Sequence, residues 1–351
     1  MILINFSLKR FASTANPLPY KKVAKLNFDL YKPHHSTYAK LPIHCQEPLI
    51  FLHGIYGYSK SFCSDYQQLS NLLQTPVYSI DMRCHGESEN CLPFNYETLA
   101  DDLDNFVITH NLNKPSLLGF SLGAKLAMVA LLKSPQLYTS GVIVDNVPLK
   151  QDIIKPNLTA FCNALKSVIY DSKISKHDPL WISKAFDKMK SCCGDMPANF
   201  YMFHNIQRKS SLMKEYSSDS SKDGLFCKVP VAEISHLVIE NVPDWPEEAV
   251  KGLQTDTPIL LIKASHSGFV KEEGFAALKK HFPNISVTEI AGTHLVMKER
   301  PQEYISAVGR WFYEQNSKKA SSSKTSKADA FKNLTHQDVS SSEKVTTTNI
   351  F

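Results

Sequence analysis

The chain has 351 residues, 43% hydrophobic, 21% charged and 10% aromatic, with a formal net charge of +5. This is globular composition for one large domain or two small ones; it excludes collagen-like, coiled-coil and wholly disordered chains, and no apolar run is long enough for a spanning helix. The positive balance sits at the ends: residues 1–28 carry five basic residues and no acid, residues 316–351 carry six lysines against three acids, and the body between them is −3, which argues against a nucleic-acid partner.

The chain begins with apolar Ile2, Leu3, Ile4, Phe6, Leu8 and Phe11, with Lys9 and Arg10 among them, then Ser13 and Thr14; the first acid is Asp29. A secretory leader puts its positive charge ahead of the apolar run, whereas this order fits a mitochondrial presequence. Residues 1–19 are assigned to it, with cleavage near Phe11 to Thr14, and the expected location is mitochondrial. Eight scattered cysteines with no C-x-x-C pair read as reduced residues of an intracellular protein. They offer no metal-ligand spacing. In that setting the sequons at Asn157, Asn284 and Asn333 carry no meaning.

From there the patterns predict strands over Val23–Tyr31, Pro48–His53, Pro76–Asp81, Ser116–Phe120, Gly141–Asp145, Pro258–Lys263 and Ile285–Ile290. Helices are predicted over Phe62–Leu73, Tyr96–His110, Leu122–Leu132, Glu272–His281 and Pro301–Glu314. Continuous apolar strands such as LIFL, GVIVD and PILLI, alternating with helices, predict an α/β fold with a mostly parallel sheet covered on both faces. The alternation fails between about Leu149 and Trp245, a stretch helical around Phe161–Val168 and Trp181–Met189 and polar at Ser217–Asp223. An insertion of roughly 95 residues is too long for a connection and predicts a helical lid over the ligand crevice. The expected organisation is presequence 1–19, core 20–148, lid 149–250, core 251–315 and a disordered Ser/Lys/Thr-rich tail 316–351.

Gly119-Phe120-Ser121-Leu122-Gly123 follows a strand and opens an apolar helix. That is the setting of a nucleophile elbow, in which glycines allow a turn too tight for side chains; a helix N-cap is the structural alternative for Ser121. A serine hydroxyl needs a base, and His294 in Ala291-Gly292-Thr293-His294 stands past the last strand at the same sheet edge. The acid is less direct. The strand after the lid exits as Lys263-Ala264-Ser265-His266-Ser267-Gly268 without a carboxylate; Glu272 lies further on, and Asp256 is at the wrong edge. Asp145 closes the preceding strand at the correct edge and can reach the imidazole from the side, the alternative being a turn cap. Oxyanion donors are expected at the backbone N–H of Leu122 and at that of Ile55 in His53-Gly54-Ile55-Tyr56-Gly57, with Tyr56 as the competing neighbour. His53 is read as holding that loop. Asp81-Met-Arg-Cys-His-Gly-Glu-Ser88 is read as a structural turn whose polar groups pair internally.

The segments HGIYGY, DMRCHGES, GFSLGAK and AGTH together resemble the α/β-hydrolase superfamily over roughly Lys22–Gln315, the lid excepted. Within it the chain is similar to mitochondrial abhydrolase-domain proteins and most of all to the yeast ethanol acetyltransferases, which share the presequence, the G-x-S-L-G-A-K elbow and an acid on a V-D after the following strand. The resemblance implies the α/β-hydrolase fold with a lid inserted between strands six and seven, and a triad of Ser121, Asp145 and His294. It implies a ping-pong acyltransferase making ethyl acetate from acetyl-CoA and ethanol, with esterase and thioesterase side reactions on short esters and thioesters, acetyl-CoA being a substrate and no cofactor or metal being required. Phe120 departs from the histidine common before the nucleophile. A plain mitochondrial carboxylesterase or thioesterase with the same triad is the alternative, and a binding protein that has lost its chemistry is a second.

Overall fold

In the computed structural model, which describes residues 18–34, 47–175, 177–193, 203–208 and 225–318, the apolar runs become the strands of one sheet. Its members are β1 (Phe28–Tyr31), β2 (Leu49–Leu52), β3 (Val77–Ile80), β4 (Ser116–Phe120), β5 (Gly141–Val144), β8 (Ile259–Ala264) and β9 (Ile285–Ile290), in the order β1-β3-β2-β4-β5-β8-β9. Within this sheet only β1 runs antiparallel. Every residue of β2, β4 and β5 is buried, as both-face coverage requires, while edge strand β9 is only partly buried. The chain moves outward from β2 to β3 and then crosses back to β4 on the other side of β2. The loops after β2 and β4 therefore diverge at their carboxyl ends and leave a crevice, the usual ligand position in such sheets.

The covering helices include α1 (Cys63–Leu73), α2 (Tyr96–Thr109) and α3 (Leu122–Lys133). Helix α3 lies against β2, β4 and β5 and beside α2, which explains why all its residues from Leu122 to Leu132 are buried and why it carries no amphipathic stripe. The C-terminal helix spans 301–318, so it runs past the expected start of the tail at 316. Strand β1 is shorter than predicted. Over Ala24–Asn27 three of the four amides donate to side chains instead of a ladder: Ala24 to Asp102 (2.6 Å), Lys25 to Glu89 (2.9 Å) and Asn27 to Ser88 (2.7 Å).

The insertion stands between β5 and β8. These are the fifth and sixth strands of the sheet, not the sixth and seventh; among the described residues a single strand precedes β2, which shifts the count by one. Its described helices include α4 (Lys155–Ile169), α5 (Trp181–Cys193) and α6 (Val231–Asn241). It also holds an antiparallel pair, β6 (Ile206–Arg208) with β7 (Leu225–Cys227), which three-residue runs are too short to announce by periodicity. The expected presequence up to residue 17, the polar Ser217–Asp223 segment and the expected tail beyond 318 lie outside the described residues.

Candidate active site

Strand register sets the site. Phe120 pairs with Val144, and Val144 with Ile262, so the residues that follow, Ser121 and Asp145, leave adjacent strands at the same level. The pairing runs one step further: Ser121 N–H donates to Val144 O (3.3 Å) and Asp145 N–H to Ile262 O (2.8 Å). Both residues then bend into positive φ, 55° at Ser121 and 50° at Asp145. For Ser121 this is a strained conformation, of a kind that costs on the order of 1–3 kcal/mol and is held only by its surroundings.

Two glycines hold it. A Cβ on Gly119 would stand 2.2 Å from Gly123 O, and one on Gly123 would stand 2.1 Å from Leu52 O. The elbow is thus clasped between its own helix and the end of β2, with Gly123 N–H donating to His53 O (3.1 Å). Ser121 sits at the head of α3, yet its side chain makes no capping bond. Instead Ser121 Oγ lies 2.9 Å from His294 Nε2. On the other side of the ring His294 Nδ1 lies 2.8 Å from Asp145 Oδ2. The fully buried Asp145 carboxylate also accepts the Ala264 N–H on Oδ1 (3.1 Å), a bond that fixes its plane from the neighbouring strand. Neither capping alternative describes these two side chains. The structure brings Ser121, His294 and Asp145 into one hydrogen-bonded line, while Glu272 heads a helix and Asp256 precedes β8.

The loop after β2 shows which amide is available. Tyr56, at φ 61°, donates its N–H to His85 Nε2 (3.1 Å), and His85 Nδ1 donates to Arg83 O (3.0 Å). Among the described residues the N–H groups of Ile55 and Leu122 meet no acceptor. The competing neighbour Tyr56 is therefore engaged, and the two amides expected for an oxyanion are the uncommitted ones. His53 is a structural brace: its Nδ1 donates to Gly54 O (2.7 Å), and its Nε2 accepts Met82 N–H (3.0 Å). Burial pushes His53 down to about 4 and His85 to about 3, so both rings are neutral at physiological pH.

The turn after β3 pairs only in part within itself: Asp81 accepts from Glu87 N–H (2.9 Å) and its carbonyl from Ser88 Oγ (2.6 Å), but its carboxylate also accepts from Ser59 N–H (2.5 Å) and Asn27 Nδ2 (2.8 Å), which ties the turn to the neighbouring loops. Arg83 also reaches out of the turn. Wholly buried, it reaches Asp102 of α2 through Nε (2.6 Å) and one terminal nitrogen (2.7 Å).

Two features escaped sequence reasoning. Phe269, in the loop after β8, stacks on the His294 ring with centroids 3.7 Å apart and planes 8° from parallel, while Phe120 lies 5.1 Å from it. Nothing in the sequence marked Phe269 beyond its position in a loop at the active edge. Lys125, by contrast, did leave a signal: a single charge inside the apolar run Leu122–Leu132 must be buried, and a buried charge needs partners.

Among the described residues no group of three His, Cys, Asp or Glu side chains is placed to hold a metal, and no helix is long and apolar enough to cross a membrane. The arrangement is one for moving a proton between a hydroxyl and an imidazole beside two free backbone donors, which is what acyl transfer requires.

Known proteins place the chain further. A match to the alpha/beta hydrolase fold family covers residues 47–162. The chain is 67% identical over 345 residues to ethanol acetyltransferase 2 of Hanseniaspora uvarum, covering 98% of this chain and 99% of that one. It is 38% identical over 312 residues to ethanol acetyltransferase 1 of the same organism, covering 89% and 92%. Among solved structures, a marine microorganism esterase superposes with a TM-score of 0.66 over 81% of this chain and 98% of its own, at 24% identity, a likeness of fold alone. At this identity over nearly its whole length, the chain belongs to the alcohol acetyltransferase family, a group of acyltransferase enzymes within the α/β-hydrolase superfamily.

Proposed function

We propose that the protein is an alcohol O-acetyltransferase that makes ethyl acetate from acetyl-CoA and ethanol through an acetyl-Ser121 intermediate. The observation that carries the reading is the Ser121–His294–Asp145 line, with 2.9 and 2.8 Å between the bonded atoms. In the first half-reaction His294 Nε2 takes the Ser121 proton as Oγ attacks the thioester carbonyl. The carbonyl π electrons move onto oxygen, where the Ile55 and Leu122 N–H groups stabilise the charge. Collapse breaks the C–S bond, and the departing sulfur takes the proton from His294. In the second half ethanol gives its proton to the same nitrogen and attacks the acetyl carbon; Ser121 Oγ leaves and recovers the proton. Asp145 holds the ring in the tautomer with Nδ1 protonated and stabilises the imidazolium of each half.

Water in place of ethanol gives acetate, so esterase and thioesterase turnover accompanies transfer. No step needs a metal or a bound cofactor. The basic, acid-free composition of residues 1–19 supports delivery to mitochondria as a cleaved presequence, testable by N-terminal sequencing of the protein from isolated organelles. For the reaction the deciding experiment is product analysis of the purified protein with acetyl-CoA, with and without ethanol. Ethyl acetate formed only when ethanol is present supports transfer; acetate alone in both cases makes the protein a hydrolase of the same fold.

A further inference from the structure

Lys125 stands one helical turn beyond Ser121, and its backbone N–H donates to Ser121 O (3.2 Å). Its side chain has no solvent exposure. The ammonium donates to Leu149 O (2.8 Å), Pro243 O (2.8 Å) and Asp244 O (2.9 Å), so its three donors meet three acceptors. Leu149 lies where the chain leaves β5 for the insertion, and Pro243 and Asp244 lie where it returns after α6. Both feet of the insertion therefore rest on one side chain of the nucleophile helix. They are also tied to each other, Gln151 N–H donating to Pro243 O (2.8 Å). Burial lowers Lys125 to about 7 against the pull of Asp244 and Asp152, and a buried ammonium is costly unless every donor is met, as it is here.

The feet connect to the chemistry. Gln151 Nε2 donates to Phe269 O (3.0 Å), and Phe269 is the ring stacked on His294. Across the site the insertion meets the loop that carries Ile55: Asn205 Nδ2 donates to Tyr56 O (2.6 Å), and Tyr56 Oη lies 2.8 Å from Cys162 Sγ. Displacing the feet would disturb the cover over the acyl-serine.

We propose that Lys125 is a positioning residue that clamps both ends of the lid to the helix bearing Ser121, and that this clamp sets how far the acyl-enzyme is shielded from water, hence the ratio of transfer to hydrolysis. The proposal deepens the acetyltransferase reading and rests on it for its second half. The step it governs is the choice between ethanol and water at the acetyl-Ser121 carbonyl, with the proton passing to His294 in either case.

The test uses full-length protein carrying Lys125→Met, which keeps the stem but leaves Leu149 O and Asp244 O without a donor and Pro243 O with the Gln151 N–H alone. Amide hydrogen exchange over residues 146–152 and 240–246 should accelerate about tenfold or more, with α3 unchanged. The ethyl acetate to acetate ratio should fall about fivefold or more, while p-nitrophenyl acetate hydrolysis stays within about twofold. Tyr96→Phe is the milder companion: it removes only the Tyr96 Oη bond to Val242 O (2.9 Å) at one foot, keeps the cation, and should move both readouts the same way by less. It decides the question if Lys125→Met does not accumulate. An unchanged ratio, or transfer and ester hydrolysis falling in parallel, overturns the positioning role. Wild-type protein that forms no ethyl acetate would instead remove the acetyltransferase reading, and hydrogen exchange would still report on the clamp.

Discussion

The Phe269 ring lies 3.7 Å from that of His294 and within 8° of parallel, so the imidazole is held by a stacked face as well as by its two hydrogen bonds. The proton carrier of the proposed two half-reactions needs a fixed ring, because even a small displacement of a reacting group lowers the rate steeply. Phe269→Ala should therefore lower kcat about tenfold or more with little change in melting temperature, because Phe269 is only partly buried, and Phe269→Tyr should retain most of the rate. Steady-state kinetics beside a thermal melt separates this from unfolding.

The uncommitted Ile55 amide can be removed without touching a side-chain contact of the triad. Ile55→Pro deletes the N–H and should cost about 10²–10³ in kcat if this donor meets the oxyanion, with KM nearly unchanged. The control is circular dichroism of the folded variant. A variant that is folded and fully active would take Ile55 out of the reaction.

Gly123 is held by geometry that no side chain satisfies, its Cβ position being 2.1 Å from the backbone oxygen of Leu52. Gly123→Ala should push α3 off the end of β2 and destabilise the protein by roughly 3 kcal/mol or more, since backbone on both sides must move. Chemical denaturation of the purified variant measures this directly.

His53 and His85 are fully buried and neutral, at about 4 and about 3 against 6.5 when free. Between those values the unfolded chain binds protons that the folded chain does not, so stability is complete above about pH 6.5 and is lost as pH falls towards 4. With both rings contributing, the loss approaches about 2.7 kcal/mol per pH unit in the lower part of that window. Urea unfolding at pH 7, 6 and 5 should show it. Replacing His85 with glutamine should flatten the slope by roughly half.

Much of this site was legible in the sequence because its parts sit on elements with strong local signals. Ser116–Phe120 is a buried strand that runs directly into Ser121 of the G-x-S-x-G segment, and its bounds match the pattern residue for residue. Asp145 was reached by elimination, since the strand after the lid ends without a carboxylate, and parallel register then carries it to His294. The choice of Ile55 over Tyr56 had a rational basis in the loop, but it is His85 that occupies the Tyr56 amide, a contact between residues far apart in the chain. Phe269 was invisible for the same reason: stacking depends on tertiary placement and leaves no periodicity. In the insertion, α4 and α5 showed through their apolar clusters, whereas the β6–β7 pair is held by a long-range pairing of two short segments.

In the proposed reaction, acylation of Ser121 is the step on which transfer and hydrolysis both depend. Rapid-quench mass spectrometry of the protein mixed with acetyl-CoA alone should find one acetyl group on the peptide that contains Ser121, lost on adding ethanol as ethyl acetate appears, and absent in Ser121→Ala. An acetyl group on another residue, or ethyl acetate accumulating in the Ser121→Ala protein at the wild-type rate, would contradict it.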